Sequence, residues 1–270
     1  MSILTHGSDL TLAPTITPTV RPAGGTVRAA LERLASAGFA AVQLDAALSG
    51  IRPRDLDHQA RRDLLGLLTR RSMRLAGLDL FIPRRHYLET EHQDRAMHAT
   101  LAAIELAADL GRVPVSVSLP LEKMPTELTE CLVEAADGRG VSVAVHGEGQ
   151  IDTLLAWLDE LDMRVVGAAL DAAAAMARGA GADALVHQLA KHLAVARLSD
   201  VSAADAQDSA NTGVRCPVGE GDLDVPAYRI AVDLCPSRHG PVVLDLRGLA
   251  NPLAAAVAAA KAWQDAAITL

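Results

Sequence analysis

The chain has 270 residues, of which 25 are Lys or Arg and 33 are Asp or Glu, so its formal net charge is −8. Hydrophobic residues make up 50% and charged residues 21%, a balance typical of a globular protein. An acidic chain gains no electrostatic attraction to phosphate backbones or anionic lipid, so nonspecific nucleic-acid binding and attachment to a membrane surface are not expected. With 2% aromatic residues, the chain also has little material for a base-stacking platform.

The start of the chain and its cysteines indicate a compartment. The first ten residues, MSILTHGSDL, have neither the basic nor the apolar stretch of a signal peptide, and no run of about 18 apolar residues predicts a transmembrane helix. Cys131, Cys216 and Cys235 have no CxxC spacing, which indicates reduced thiols and not disulfides or zinc ligands. We therefore expect a cytoplasmic protein with no membrane contact.

Eight short apolar segments predict β-strands, and segments with helical periodicity lie between them. The predicted strands cover residues 10–15, 41–44, 75–80, 113–119, 141–145, 165–170, 193–198 and 242–246. The intervals are long enough for a crossover helix and a return to the next parallel strand. Because the series is uninterrupted, it favours an α/β fold of the (βα)8 TIM-barrel type, in a single domain spanning residues 1–270, over an open doubly wound sheet.

Residues at the predicted helix ends support this pattern. Thr26, Asp224 and Asn251 are predicted N-caps, because each carries a side-chain oxygen that can accept a hydrogen bond from the first helical turn. Gly111 is predicted to end the third helix in a left-handed conformation.

Polar residues at the carboxyl ends of the predicted strands are the candidates for a functional site, because active sites of such barrels form there. They are Gln43, Asp45, Asp79, Arg84, Arg85, His86, His146, Glu148, Asp171, Arg197, Asp200, Asp245 and Arg247. Alternatives stay open for some of them. Asp45 and Asp200 also suit local turns, and residues 84–86 form either a solvated loop or a cationic lid over an anionic substrate.

Six segments spread over nearly the whole chain carry a family resemblance. They are AALERLASAGFAAVQL at 29–44, AAIELAADLG at 102–111, ALD at 169–171, LSD at 198–200, PVGEGDLDVPA at 217–227 and GPVVLDLRG at 240–248. They resemble the sugar phosphate isomerase/epimerase family, which has the xylose isomerase-like TIM barrel and is related in fold to endonuclease IV. The GEGD segment, followed by an acidic residue on the eighth strand, is the most specific of them.

This resemblance implies a divalent ion such as manganese, magnesium or zinc, held by Glu, Asp, His and Glu on strands five to eight. The corresponding residues here are His146, Asp171, Arg197 and Asp245. Only Asp171 keeps the residue type of the family. The changes to His146 and Asp245 alone would still allow a metal site.

Arg197 argues against that ion, because a guanidinium stays protonated and has no lone pair for coordination. We predict that Arg197, flanked by Asp171 and Asp245, takes the electrostatic place of the ion. No cofactor is then expected, and a bound divalent metal is the alternative. Two further family positions also differ: a Glu on strand two corresponds to Gln43, and a His after strand six corresponds to Ala174.

The resemblance also implies carbohydrate chemistry: isomerisation, epimerisation or elimination from a keto sugar, each starting with proton abstraction next to a carbonyl. Glu148 is the predicted base, His146 an alternative acid or base, and Arg197 the stabiliser of the enolate oxygen. Asp171 and Asp245 would orient Arg197 or bind sugar hydroxyls. The predicted substrate-binding residues are Gln43, His86, Asp200, Glu220 and Arg247.

A second class of function stays open, a catalytically inactive carbohydrate-binding or regulatory barrel, because several ligand positions are changed at once. DNA repair by analogy with endonuclease IV is not expected, since the chain lacks the histidines for a cluster of several metal ions. The expected partner is a small carbohydrate, and a homo-oligomer is compatible with the sequence.

Overall fold

The computed structural model describes residues 11–147, 149–202, 214–237 and 240–268. Its strands are β1 (Leu12–Pro14), β2 (Ala41–Asp45), β3 (Arg74–Leu80), β4 (Val115–Val117), β5 (Val143–His146), β6 (Val166–Asp171), β7 (Leu193–Leu198), β8 (Asp200–Ser202), β9 (Val214–Cys216) and β10 (Val242–Leu244). Parallel pairing joins eight of them in the order β1, β10, β7, β6, β5, β4, β3, β2. A parallel bridge between Thr15 and Gln43 brings the two ends of this sheet together, while β8 and β9 form a separate antiparallel hairpin.

Helices connect the barrel strands. They are α1 (Thr17–Val20), α2 (Val27–Ser36), α3 (His58–Arg70), α4 (Thr90–Asp109), α5 (Thr126–Arg139), α6 (Ile151–Leu161), α7 (Ala172–Met176), α8 (Ala182–Gln188), α9 (Val225–Asp233) and α10 (Pro252–Ile268). Short 3-10 helices cover Pro53–Asp55, Arg84–Tyr87 and Leu121–Lys123. Within the described ranges, no helix is both long and apolar enough to cross a membrane.

The (βα)8 barrel predicted from the sequence is confirmed. Each predicted strand is present, and the observed ends lie within two residues of the predicted ones. The predicted caps are confirmed too: Thr26, Asp224 and Asn251 each accept a hydrogen bond from the backbone N–H three residues further on. Gly111 follows the end of α4 with a φ of 107°, the left-handed conformation that glycine adopts most readily.

Leucines on the inner faces of the helices pack against the outside of the barrel. Leu31 and Leu34 of α2 and Leu67 and Leu68 of α3 are buried at helical spacing. Burying a leucine side chain contributes roughly 1.5–3 kcal/mol, so the helical layer supplies much of the stability of the fold.

Strand alternation places the polar side chains inside the barrel. Ala144, Ala169, Val195 and Val243, on β5, β6, β7 and β10, form one buried cluster of small residues. Two residues further along the chain lie His146, Asp171 and Arg197, on β5, β6 and β7, and Asp245, directly after β10. Because residues i and i+2 of a strand point to the same face, these four side chains form the next layer, at the carboxyl ends of the strands.

Candidate functional site

Arg197 lies at the centre of this polar layer. The residue is 0% exposed, its Nη2 donates to Asp79 Oδ1 at 2.6 Å, and its Nη1 donates to Asp245 Oδ2 at 3.4 Å. The hydroxyl of Tyr228 donates to its backbone carbonyl at 3.0 Å. The predicted neighbours were Asp171 and Asp245, so Asp245 is where it was predicted, while Asp79 binds the guanidinium in place of Asp171. A fully buried arginine between two carboxylates is a charge held in place by its neighbours.

Asp171 is bound by a different set of residues from those that bind Arg197. Its Oδ1 accepts from Ser199 Oγ at 2.6 Å and from the Ala174 backbone N–H at 3.2 Å, so the side chain also caps α7. Its Oδ2 accepts from Arg215 and, at 3.4 Å, from Arg247. Asp171 and Arg197 are register partners on β6 and β7, yet their side chains belong to different ion pairs.

Asp245 contacts the largest number of cations in the described network. Arg247 donates to it from Nε and Nη2, and Arg197 and Arg215 lie 3.4 Å from its Oδ2. Burial raises the pKa of the Asp245 carboxyl, but the hydrogen bond from Arg247 and the charges of the three arginines lower it more, so this pKa stays well below its usual range. Burial in turn lowers the pKa of Arg247, while Asp245, Asp79 and Asp171 raise it above its ordinary value.

A small pocket opens beside this network at the carboxyl ends of the strands. Its volume is about 140 Å³, and it is lined by Asp79, Leu80, Phe81, Val117, Ser118, His146, Asp171 and Arg247. Pockets for drug-sized ligands have volumes of roughly 300–1,000 Å³, so this smaller pocket suits only a compact molecule. Arg247 contributes the guanidinium of the pocket wall, with a side chain that is 42% exposed, whereas Arg197 is buried beneath.

The other predicted site residues have different places. Gln43 is 1% exposed inside the barrel, and its Oε1 has no hydrogen-bond partner among the described residues. His86 lies on the 3-10 helix Arg84–Tyr87 with its ring centroid 4.6 Å from that of His92, and neither lines the pocket described above. Glu220 is exposed. The predicted base, Glu148, lies outside the described residues.

Asp200 organises a loop and does not face the pocket. It is 1% exposed, and its carboxylate accepts hydrogen bonds at 2.8–3.1 Å from the backbone N–H groups of Val201, Gly219, Gly221 and Leu223. This explains the glycines of the GEGD segment: Gly219 has a φ of 91°, and a Cβ on Gly221 would lie 2.3 Å from Asp200 Oδ1. These contacts agree with the local-turn role that the sequence left open for Asp200, and its substrate contact stays a prediction.

Replacing Asp200 by alanine is therefore expected to lower the free energy of unfolding by about 3 kcal/mol, because buried backbone donors lose their acceptor. Chemical denaturation of purified protein measures this. Glu220→Ala is the control, because Glu220 is an exposed residue of the loop that Asp200 binds. Its expected change in the free energy of unfolding is within about 0.5 kcal/mol. Equal stability of the two variants would contradict the role of Asp200.

The residues at the barrel centre do not fit a divalent ion. Arg197 occupies the strand-seven position with its guanidinium on Asp79 and Asp245, and the carboxylates of Asp171 and Asp245 already accept from Arg215 and Arg247. A second cation would have to displace these guanidinium groups, none of which has a lone pair to offer. Away from this centre, the potential ligand atoms of His86, Glu89 and His92 lie within 4.8 Å of one another. A metal ion found in the purified protein could therefore be bound at these residues and not at the barrel centre.

The family assignment follows from a comparison of the sequence with protein families. A model described as the xylose isomerase-like TIM barrel matches residues 31–265. The chain belongs to this family. The sequence resemblance is thus confirmed at this level, while no curated protein matches the sequence.

Solved structures of similar fold agree with this membership in the xylose isomerase-like family. A xylose isomerase domain protein from Planctomyces limnophilus is 14% identical with a TM-score of 0.75, over 95% of this chain and 96% of that chain. The IOLI protein with a bound zinc atom is 15% identical with a TM-score of 0.74, over 95% and 97%. An L-ribulose 3-epimerase is 14% identical with a TM-score of 0.72, over 96% of both chains. At these identities the structures establish a shared fold.

Sequence reasoning missed Arg215 and Ser199 entirely. Arg215 lies on β9 of the hairpin and reaches Asp171 and Asp245, although it does not follow a barrel strand. Its only sequence signal is its place two residues before the segment that contains GEGD. Asp79 was recognised at a strand end, but nothing in the sequence indicated that it pairs with Arg197 on a distant strand.

Proposed function

We propose that this xylose isomerase-like barrel isomerises or epimerises a small carbohydrate or keto sugar by proton abstraction next to a carbonyl, without a divalent ion at the barrel centre. The observation that carries the proposal is the pocket wall, where the imidazole of His146 and the half-exposed guanidinium of Arg247 share one small cavity. An acid–base group beside a fixed cation is what enolisation needs.

Arg247 is the group we propose for the enolate oxygen, in place of Arg197. Arg247 binds Asp245 through Nε and Nη2. Among the contacts of the described residues, the N–H groups of Nη1 are not used, so they can donate to a ligand. Arg197 is fully buried and acts from below, by holding Asp79 and Asp245. An N–H donor that is already oriented stabilises developing negative charge without reorganising in the transition state.

His146 is the described residue best placed to move a proton. His146 lines the pocket, and its backbone carbonyl accepts from Arg84 Nη2 at 2.9 Å, which fixes the end of β5. Imidazole exchanges protons readily near neutral pH. Glu148, two residues further along, stays the predicted base, with His146 as the second acid–base group.

The Glu148→Gln variant is expected to lose about 10²–10⁴-fold in turnover while still binding ligand, because the amide cannot accept the substrate proton. His146→Gln is expected to lose turnover by a similar factor. Deuterium incorporation from D2O into ketopentoses and ketohexoses, followed by NMR, measures proton abstraction directly. The control is Glu160→Gln, an exposed position on α6. Full activity of Glu148→Gln would reject the assignment of the base.

A second candidate function is a carbohydrate-binding barrel without turnover. The observation that favours it is that Asp79, Asp171 and Asp245 are all engaged by arginines. In that case a sugar would raise the melting temperature of the protein by binding the folded state, and no deuterium would enter the bound sugar.

A further inference from the structure

Arg84 is a cation at the edge of the pocket that pairs with neutral groups. Its Nε donates to Ser118 Oγ at 2.8 Å, its Nη2 to the His146 carbonyl at 2.9 Å and its Nη1 to Gln150 Oε1 at 3.2 Å. Ser118 and His146 both line the pocket, so the guanidinium contacts two residues of the pocket wall. The three bonds come from different segments, which fixes its position.

Arg84 differs from the other arginines of the site in the charge of its partners. Arg197, Arg215 and Arg247 pair with the carboxylates of Asp79, Asp171 and Asp245. Within the described residues, the acceptors of Arg84 are a hydroxyl, a carbonyl and an amide, none of which carries a charge. A half-buried positive charge with neutral partners attracts an anion more strongly than one in water does.

Within the part of the chain that the structure describes, Arg84 also uses only some of its hydrogen-bond donors. A guanidinium has five N–H donors, and the three bonds above use one from each nitrogen. The remaining donors belong to Nη1 and Nη2, the pair of nitrogens that binds carboxylate or phosphate oxygens. Arg247 adds a second guanidinium on the wall of the same pocket.

We infer that the ligand of this pocket carries an anionic group, a carboxylate or a phosphate, which binds Arg84 while the reacting carbons lie between His146 and Arg247. The inference rests on the proposed function, because it takes the same pocket as the ligand site. It narrows the substrate class to a compact sugar acid, keto acid or sugar phosphate, and it makes Arg84 a specificity-determining residue.

The test compares three probes of one carbon chain: D-xylulose, D-xylulose 5-phosphate and D-xylonate. Isothermal titration calorimetry gives their dissociation constants. We expect at least one anionic probe to bind the unmodified protein about 10–100-fold more tightly than D-xylulose, since a charge-assisted hydrogen bond contributes about 1.5–3 kcal/mol. The phosphate and the carboxylate separate the two sources of negative charge.

The decisive variants remove one positive charge from adjacent positions. Arg84→Met is expected to abolish the preference for the anionic probe. Arg85→Met is the matched control, because the Arg85 side chain is 75% exposed and lies 3.8 Å from Glu89, and it should keep the preference. Arg84→Gln retains amide donors and serves as a second neutral variant if Arg84→Met does not fold.

The outcomes separate this inference from the proposed function. Equal binding of neutral and anionic probes, no binding of either anion, or a preference that survives in the neutral Arg84 variants would overturn the role of Arg84. Deuterium exchange into D-xylulose without any anion preference would leave the isomerase function standing. An Arg84-dependent preference without exchange of any probe would keep the anion site and favour the binding barrel.

Discussion

Replacing Asp245 by asparagine is expected to lower the free energy of unfolding by about 3–5 kcal/mol at neutral pH, because it removes one partner of a buried ion pair. The Asp245 side chain is 0% exposed and contacts Arg197, Arg215 and Arg247. The variant would leave these arginines with only Asp79 and Asp171. Urea denaturation measures the effect. Asp265→Asn, which weakens an exposed ion pair with Lys261 on α10, should change stability by less than about 0.5 kcal/mol.

The pH dependence of this difference is a sharper test. The folded-state pKa of Asp245 is depressed, so its stabilisation is fully present above the unfolded-state pKa of about 4 and is lost as the pH falls towards the folded-state value. The stability difference between the unmodified protein and Asp245→Asn should therefore be constant from pH 7 to about pH 5 and shrink by up to about 1.4 kcal/mol per pH unit below pH 4. A difference that stays constant down to pH 3 would contradict the charged state of Asp245.

Replacing Arg197 by histidine is expected to create a divalent metal site at the barrel centre. The variant removes the guanidinium between Asp79 and Asp245 and supplies a neutral imidazole at the position of the family's strand-seven ligand. Without metal, Asp79 loses the guanidinium of Arg197 and Asp245 keeps Arg215 and Arg247, so the variant should be destabilised by about 3–5 kcal/mol. Zinc or manganese should restore much of this loss, because ligands that bind only the folded state stabilise it.

The measurement is metal content by mass spectrometry together with the melting temperature at increasing metal concentration. A His92→Ala background removes one member of the group formed by His86, Glu89 and His92, so that metal bound there is not counted. In this background, the Arg197→His chain should bind one ion and melt at a higher temperature with added metal, whereas the chain with Arg197 should do neither. Equal metal content in the two proteins would show that Arg197 does not determine whether a divalent ion binds at the barrel centre.

The barrel itself was predictable because the sequence signals for its strands and helices are local. Apolar runs of strand length, helical periodicity and caps such as Thr26 and Asp224 depend on neighbours in the sequence. The inward direction of His146, Asp171, Arg197 and Asp245 also follows from strand alternation, since each lies two residues beyond a small buried residue of the barrel interior.

The pairing of charges was not predictable, because it depends on side chains from distant strands that meet at the barrel axis. Asp79 and Arg197 are 118 residues apart in sequence and 2.6 Å apart in space. Arg215 lies on a short hairpin that periodicity does not reveal, and its side chain crosses to Asp171. For the same reason, the sequence analysis placed Asp171 and not Asp79 beside Arg197, and it left open whether residues 84–86 form a solvated loop.

The hairpin of β8 and β9 has a consequence for the direction from which a molecule enters. Arg215 extends from the hairpin over the β6 and β10 sides of the mouth, while the pocket wall is drawn mainly from β3, β4 and β5 and their following residues, with Phe81 66% exposed at the rim. Among the described residues, the pocket wall and the hairpin thus occupy different parts of the mouth. We therefore expect exchange of the loops after β3 and β4 to alter which molecules bind, whereas changes in the hairpin should alter the stability of this end of the barrel.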